Sequence, residues 1–161
     1  MFPLKNYKYE IPTNPSIEPG AFGAVRKLDI HTGVDLYCEN GDYVYAIEDG
    51  EVTAVIPFTG EHAESPWWEN TFAILIYNAE NDRTILYGEV TTQPRLFSGN
   101  FITKESNSII GFVKRVLKKD KGIVPSTSML HMEVYQGKVT DAVWWKLGEP
   151  KPESLQDVTY I

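Results

Sequence analysis

Three histidines, His31, His62 and His131, are the residues of this chain best suited to chemistry. His31 stands four residues before Asp35 in the segment HTGVD, and on an extended strand an even spacing places two side chains on one face. Gly33 and Val34 between them are poor helix residues, so an extended segment is predicted. An imidazole and a carboxylate on one face can share a cation.

His131 lies in a segment whose residues alternate in character. The even positions are apolar and are predicted to face the core: Leu130, Met132 and Val134. The odd positions, which include Met129, His131, Glu133 and Tyr135, are then predicted to point the other way. Glu133 is interpreted as a carboxylate that orients His131, or alternatively as a general acid or base.

Two imidazoles and one carboxylate are ligand types that zinc accepts, and three protein ligands leave a fourth tetrahedral position for water, as in catalytic sites. The spacing alone is a weak indication, because a histidine satisfied in the core or at the surface would show the same pattern. The single cysteine, Cys38, excludes an intrachain disulfide and a thiolate metal site. Any metal must therefore be bound by histidine and carboxylate.

Length and composition predict one soluble globular domain. The chain has 161 residues, 42% hydrophobic and 23% charged, with a net charge of -7. The basic residues are scattered except for the run from Lys114 to Lys121. This pattern and the negative net charge argue against binding to nucleic acid. No signal peptide and no membrane-spanning run is visible, which leaves the compartment open, and nothing indicates an oligomeric state.

Short β-type runs separated by turn residues predict an all-β domain. The runs are 42–47, 51–56, 71–77, 83–90, 108–117 and 129–135. Hairpin turns are predicted at Asp49-Gly50, Asn81-Asp82 and Gln136-Gly137. Residues 1–20 are predicted to form an extended lead-in, 21–141 the β domain, and 142–161 a tail packed on it.

Two tryptophan pairs interrupt this rhythm. The turn-rich loop 57–70 contains His62 and the pair Trp67-Trp68, and the tail contains Trp144-Trp145. Each pair either covers an end of the sheet or lines a groove for an extended ligand. His62, Trp67 and Trp68 are the loop residues that we consider for substrate binding.

The stretch FGAVRKLDIHTGVDLYCENGDYVYAIEDGEVTAV resembles the lysostaphin/LytM-type zinc endopeptidases, which combine a His-x-Gly-x-Asp motif, a Gly turn and a V-Y-A, D-G-x-V hairpin. NTFAILIYNAENDRTILYGEV, NSIIGFV and STSMLHMEVY are similar to the later strands of that family, in the same order. The resemblance covers roughly residues 20–141. It implies an antiparallel two-sheet β domain of the barrel-sandwich, duplicated hybrid motif type, with a groove over a metal site.

The resemblance implies that His31, Asp35 and His131 bind Zn²⁺. The family also has two histidines beside the metal that are not ligands, and here Glu89 and Met129 occupy those positions. Glu89 is a candidate base, whereas a thioether cannot donate a hydrogen bond to a developing oxyanion. His62 or Tyr87 is considered as a replacement donor.

Two functions follow from the resemblance. The first is a zinc metallopeptidase-like hydrolase that cuts an amide bond in bacterial cell-wall peptides, acting after export or phage release. The second is an inactive zinc-binding relative that acts as a peptidoglycan-binding or regulatory module. A lipoyl or biotinyl carrier domain is disfavoured, because the Glu-Asp-Gly turn at 48–50 has no lysine.

Overall fold

The computed structural model of the chain describes residues 2–106, 109–118 and 128–160. Within these ranges the chain forms β-strands and two short 3-10 helices, Glu61–Ala63 and Lys104–Ser106, and no α-helix. The all-β class is therefore confirmed. The strands are β1 (Val34–Cys38), β2 (Tyr43–Tyr45), β3 (Gly50–Thr59), β4 (Thr71–Asn78), β5 (Arg83–Thr92), β6 (Phe101–Ile102), β7 (Ile109–Val113), β8 (Ser128–Gln136) and β9 (Leu155–Gln156).

Among the described residues, all strand pairs are antiparallel and belong to one hydrogen-bonded network of nine strands. The main path runs β1-β8-β5-β4-β3-β6, while β2 pairs with β7 and β9 pairs with β8. The resemblance implied two sheets. In the structure, β5 joins the strands around β8 to the strands around β7 in one network. Residues 83–88 of β5 pair with β8 and residues 90–92 pair with β7, so the strand changes partner at Glu89.

The central strands bury both of their faces. One core cluster takes side chains from β1 to β5, β7 and β8, among them Ile74, Ile85 and Leu130. A second, smaller cluster contains Leu75 and Leu86 from the opposite face. Residues of the C-terminal segment cover this second cluster, namely Val139, Ala142, Val143, Trp145 and Leu155. Two buried faces explain why the strands of the chain read as nearly continuous apolar runs.

The predicted turns are only partly hairpins. Asn81 and Asp82 lie in the β4–β5 hairpin, as predicted. Asp49-Gly50 precedes β3, but β2 pairs with the distant β7 instead of with β3. Gln136-Gly137 follows β8, whose later partner β9 returns only at Leu155. Both predictions were wrong because long-range pairing, which local turn residues do not encode, selects the partner strand.

Strand bounds follow the predictions within a few residues where they are described. The strand predicted over 108–117 begins at Ser108, which lies outside the described residues, and β7 covers Ile109–Val113. Part of the basic run from Lys114 to Lys121 lies outside the described residues. The first two residues of NSIIGFV and the first two of STSMLHMEVY also lie outside them. Within the described part of the chain, no helix has the length and apolar character needed to cross a membrane.

Candidate metal centre

The three predicted metal ligands come from two segments that β1 and β8 bring side by side. Asp35 on β1 is the direct cross-strand partner of His131 on β8. His31 precedes β1, and its backbone is hydrogen-bonded to the loop at Gly23 and Ala24. The prediction that His31 and Asp35 share one strand is therefore wrong, although the chain bends between them and their side chains meet.

Gly33 allows the bend because it has no side chain to collide with β8. A Cβ atom at this position would lie 2.1 Å from the carbonyl oxygen of Met132 and 2.9 Å from Nε2 of His131. A side chain here would push either β8 or the His131 ring away. The glycine of HTGVD thus permits the close approach that brings His31 to His131.

The spacing of the three ligand atoms fits a small divalent cation. His31 Nε2 lies 3.2 Å from His131 Nδ1, and Asp35 Oδ1 lies 2.8 Å from His131 Nδ1 and 3.2 Å from His31 Nε2. A tetrahedral Zn²⁺ with bonds of about 2.0–2.1 Å holds its ligand atoms about 3.3 Å apart. All three residues are buried, and the spacing of their ligand atoms means that the group could hold one metal ion.

The outer nitrogens of both imidazoles are already occupied. His31 Nδ1–H donates to the carbonyl oxygen of Ala21 at 3.0 Å, and His131 Nε2–H donates to Oε1 of Glu133 at 2.9 Å. These partners assign the tautomers, so the lone pairs of His31 Nε2 and His131 Nδ1 face Asp35 Oδ1. Three acceptors that converge in this way require a positive charge between them.

The ionisation of the group agrees with this requirement. Burial acts to lower the pKa of His131, but its hydrogen bonds with Asp35 and Glu133 raise that pKa to about 10. Burial lowers the pKa of His31 in spite of its hydrogen bond with Asp35. Burial acts to raise the pKa of Asp35, while the two histidines hold it well below its usual range. A metal-free centre therefore retains one proton where a cation would bind.

Glu133 is engaged through both carboxylate oxygens. Oε1 accepts hydrogen bonds from His131 and from Thr32 Oγ1, the latter at 2.5 Å, and Oε2 accepts one from the Tyr135 hydroxyl. Burial acts to raise the pKa of Glu133, but the hydrogen bond from His131 lowers it. A fully engaged carboxylate favours the interpretation that Glu133 orients His131 over a role as general acid or base.

Arg26 fixes the remaining oxygen of the aspartate. Its Nη2 donates to Asp35 Oδ2 at 3.1 Å and to the carbonyl oxygen of Pro19 at 3.1 Å. Asp35 Oδ1 is thereby left to face the histidines. The ion pair is partly solvated, since the Arg26 side chain is 42% exposed, so its main effect is on orientation.

A cavity of about 680 Å³ opens beside this centre. Its wall includes all three candidate ligands together with Glu89, Glu133 and Met129. Aromatic side chains form other parts of the wall: Tyr37, Phe58, Trp68 and Trp144. The volume and the mixture of apolar and charged groups are typical of a ligand site.

Glu89 lies where β5 changes its partner from β8 to β7. Its φ of 62° is a backbone conformation that residues other than glycine rarely adopt. Its Oε2 is buried and has no hydrogen-bond partner among the described residues. Burial and the negative charge of Asp35 raise its pKa to about 8. A carboxyl group with a pKa near neutrality is suited to transferring protons.

The predicted substrate-binding loop residues divide into two groups. Trp68 lines the cavity, whereas Trp67 is 59% exposed and is not among the described residues of the cavity wall. His62 is on an exposed 3-10 helix, where its Nε2–H donates to the carbonyl oxygen of Thr71 at 2.8 Å. The structure therefore brings Trp68 to the cavity but leaves Trp67 and His62 outside it.

Tyr87 is fully buried on the core side of β5. Its hydroxyl accepts a hydrogen bond from the backbone N–H of Ile47 at 3.0 Å. A ligand in the cavity has no access to this phenol, so Tyr87 is removed from the candidate binding residues. Alternation along β5 explains its position, because Tyr87 and Ile85 both belong to the main core cluster.

Sequence reasoning assigned no role to several residues of the centre. Thr32 and Tyr135 both donate hydrogen bonds to Glu133. Tyr135 lies two residues after Glu133, on the face that the alternation predicted, whereas nothing in the local sequence indicates the contact of Thr32, which is 101 residues away. Tyr37 could have been found, because it lies two residues after Asp35 and therefore on the same face of β1. The pair Trp144-Trp145, for which the sequence left both alternatives open, divides between them: Trp144 lines the cavity, and Trp145 packs against Phe22 over the second core cluster.

The fold is shared with a known catalytic domain. The catalytic domain of the antimicrobial peptidase lysostaphin from Staphylococcus simulans matches 79% of this chain and 84% of its own length, with a TM-score of 0.51 and 15% sequence identity. At this identity the likeness concerns the fold alone. The chain is thus an all-β domain whose fold is similar to that of this catalytic domain.

Two crystal forms of Helicobacter pylori Csd3 are also similar. At 22% identity they cover 74% and 92% of this chain, with TM-scores of 0.44 and 0.48. The chain spans only 29% and 36% of the Csd3 chains. No protein-family model and no curated protein matches the sequence.

Proposed function

We propose that this chain is a zinc-dependent hydrolase that cleaves an amide bond in bacterial cell-wall peptides, with Glu89 as its base. One observation carries the proposal. Two imidazole nitrogens and a carboxylate oxygen converge at the spacing of zinc ligands on the wall of a cavity. The same wall contains Glu89, whose buried Oε2 has no partner in the part of the chain that the structure describes.

In this proposal His31, Asp35 and His131 hold the metal. Zn²⁺ bound by three protein ligands lowers the pKa of bound water toward about 7 and polarises a carbonyl group. The surrounding residues position these ligands: Glu133 holds the His131 ring, and Arg26 holds Asp35. Two ring nitrogens and one carboxylate oxygen are a donor set that suits zinc better than calcium or magnesium.

Glu89 supplies the proton transfers. Its carboxylate takes a proton from the attacking water as the water oxygen forms a bond to the carbonyl carbon. The C–N bond then breaks, and the same proton passes to the leaving amine nitrogen. Without metal the pKa of Glu89 is raised to about 8, and a divalent cation held nearby would lower it by favouring the ionised carboxylate that acts as base.

The substrate class rests on the resemblance of the sequence to the lysostaphin/LytM family and on the shared fold. The solved relative is named an antimicrobial peptidase. The cavity is consistent with a peptide ligand, because Phe58, Trp68 and Trp144 offer apolar walls on which an extended chain can pack. Peptidoglycan peptides are therefore the substrates that we would assay first.

A second candidate function is zinc-dependent binding of cell-wall peptides without hydrolysis. Met129 favours it, because this thioether lines the cavity and stands where the family that the sequence resembles has a histidine. Loss of one donor to a developing oxyanion typically lowers the rate by about 10²–10³. The two candidates predict the same metal content and differ only in turnover.

Amine release from purified bacterial walls, and from glycine- and D-alanine-containing peptides, tests the proposal. The zinc-loaded protein should release amines, and a chelator should stop the reaction. Glu89→Gln should retain zinc and lose about 10²–10⁴ in rate. Glu80→Gln, which changes an exposed glutamate in the β4–β5 turn, is the matched control and should be fully active.

Absence of amine release from the zinc-loaded protein would refute the hydrolase proposal. Co-sedimentation of the zinc-loaded protein with the same walls would then test the second candidate. Equal rates in the original chain and Glu89→Gln would remove Glu89 as the base.

A further inference from the structure

The register of β1 and β8 places a tyrosine directly opposite Met129. In this antiparallel pair Asp35 faces His131, and the next position on the same side pairs Tyr37 with Met129. All four side chains line the cavity. Tyr37 is therefore the cross-strand neighbour of the residue that lacks a hydrogen-bond donor.

The Tyr37 hydroxyl is available to a ligand. The residue is half-buried, and its hydroxyl has no hydrogen-bond partner among the residues that the structure describes. A tyrosine that is withdrawn from solvent usually finds a partner for its O–H group. A phenolic O–H group can donate a hydrogen bond to a ligand oxygen.

The lead-in segment holds the phenol in place. Gly20 packs against the ring so closely that a Cβ atom there would lie 2.7 Å from the Tyr37 hydroxyl oxygen. The carbonyl oxygen of Gly20 also accepts a hydrogen bond from the backbone N–H of Asp35 at 2.9 Å. The ring is thus fixed between the lead-in and the strand that carries the candidate metal ligand, and a fixed donor is an effective one.

We propose that Tyr37 is a further catalytic residue, whose O–H group donates a hydrogen bond to the ligand oxygen that gains negative charge next to the metal centre. This inference rests on the proposed function, because it assigns to Tyr37 the donor that Met129 cannot provide. No bond to Tyr37 forms or breaks, and its proton stays on the phenol oxygen.

Tyr37→Phe tests the inference, with Tyr43→Phe as a control that removes an exposed hydroxyl from β2. Both variants should bind about one equivalent of zinc. Binding of inorganic phosphate to the zinc-loaded proteins, measured by calorimetry, probes the donor without any turnover. We expect Tyr37→Phe to weaken phosphate binding about fivefold to tenfold and Tyr43→Phe to leave it unchanged.

Wall-peptide hydrolysis provides the second measurement. If the zinc-loaded chain is active, Tyr37→Phe should lower kcat by about 10²–10³ with little change in KM. Unchanged kcat in Tyr37→Phe would overturn the inference even if the proposed function holds. If the chain has no hydrolytic activity, weaker phosphate binding by Tyr37→Phe would support the donor role while the hydrolase proposal fails. Equal phosphate affinity would then overturn both.

Discussion

Replacing Glu89 by glutamine should make the metal-free protein more stable near neutral pH. The glutamate presents a buried Oε2 that has no partner among the described residues, and it lies near the negative charge of Asp35. Ionisation of this group is therefore unfavourable in the folded state. Glutamine has a similar shape and never ionises, so it removes this cost.

The raised pKa determines the sign and the size of the effect. The carboxyl group ionises at its ordinary value of 4.5 in the unfolded chain and at about 8 in the folded protein. The stability that depends on Glu89 is thus fully present below pH 4.5 and is lost as the pH rises through about 8. Two pH units inside this window correspond to about 3 kcal/mol. We reduce this to about 2 kcal/mol because the residue as a whole keeps part of its surface exposed, although its Oε2 is buried.

Urea unfolding of chelator-treated proteins at about pH 5 and about pH 7 measures this difference. The stability of Glu89→Gln relative to the original chain should increase by about 2 kcal/mol between the two conditions. The depressed carboxyl groups Asp35 and Glu133 lose their contribution toward acid in both proteins, so their effect cancels. Glu80→Gln is the control and should show no such increase.

A constant stability difference between Glu89→Gln and the original chain at the two pH values would refute this reasoning. It would mean that Glu89 is solvated in the folded protein. The case for Glu89 as a base with a raised pKa would then be lost as well.

Three further predictions concern the metal centre. Gly33→Ala should destabilise the fold by about 1–3 kcal/mol and abolish zinc binding. The control Gly111→Ala, whose Cβ would lie 2.6 Å from the Thr91 carbonyl oxygen, should destabilise the fold but keep zinc. Zinc retention by Gly33→Ala in a chelator competition would contradict the close packing of Gly33 against His131. Tyr135→Phe removes a hydrogen bond to Glu133 and should weaken zinc binding by up to about 10-fold, and an unchanged affinity would show that Tyr135 is not needed to hold Glu133 against His131. Zinc must displace the proton that His131 retains up to about pH 10, so zinc affinity should fall as the pH is lowered. Calorimetry in two buffers of different ionisation enthalpy should detect proton release on zinc binding at neutral pH. Absence of proton release would count against the raised pKa of His131.

The strands that were best predicted are those with long apolar runs. β4, β5 and β8 lie within two residues of their predicted bounds, because their burial is encoded locally. The two-residue strands β6 and β9 were missed, since they exist only through pairing with β3 and β8. The change of partner along β5 at Glu89 is likewise a property of the assembled sheet.

The candidate site was only partly accessible to sequence reasoning. Residue types and spacing gave only a weak indication of His31, Asp35 and His131, and the family resemblance of the sequence selected them as ligands. Alternation along β8 separated His131 from the apolar residues of the main core. Their convergence depends on the β1–β8 register and on the space at Gly33, neither of which is a local property. The misassigned Tyr87 shows the converse. Two residues apart on a regular strand, Tyr87 and Glu89 would share a face, but the positive φ of Glu89 and the register shift beside it interrupt the alternation, so Tyr87 packs in the core while Glu89 lines the cavity.

X-ray absorption at the zinc edge of the zinc-loaded chain tests the metal centre most directly. We expect about one zinc per chain with nitrogen and oxygen ligands at about 2.0–2.1 Å and the scattering pattern of imidazole, and loss of bound zinc in His31→Ala and in His131→Ala. Full zinc content in both variants, or a spectrum without imidazole scattering, would show that these residues do not bind the metal.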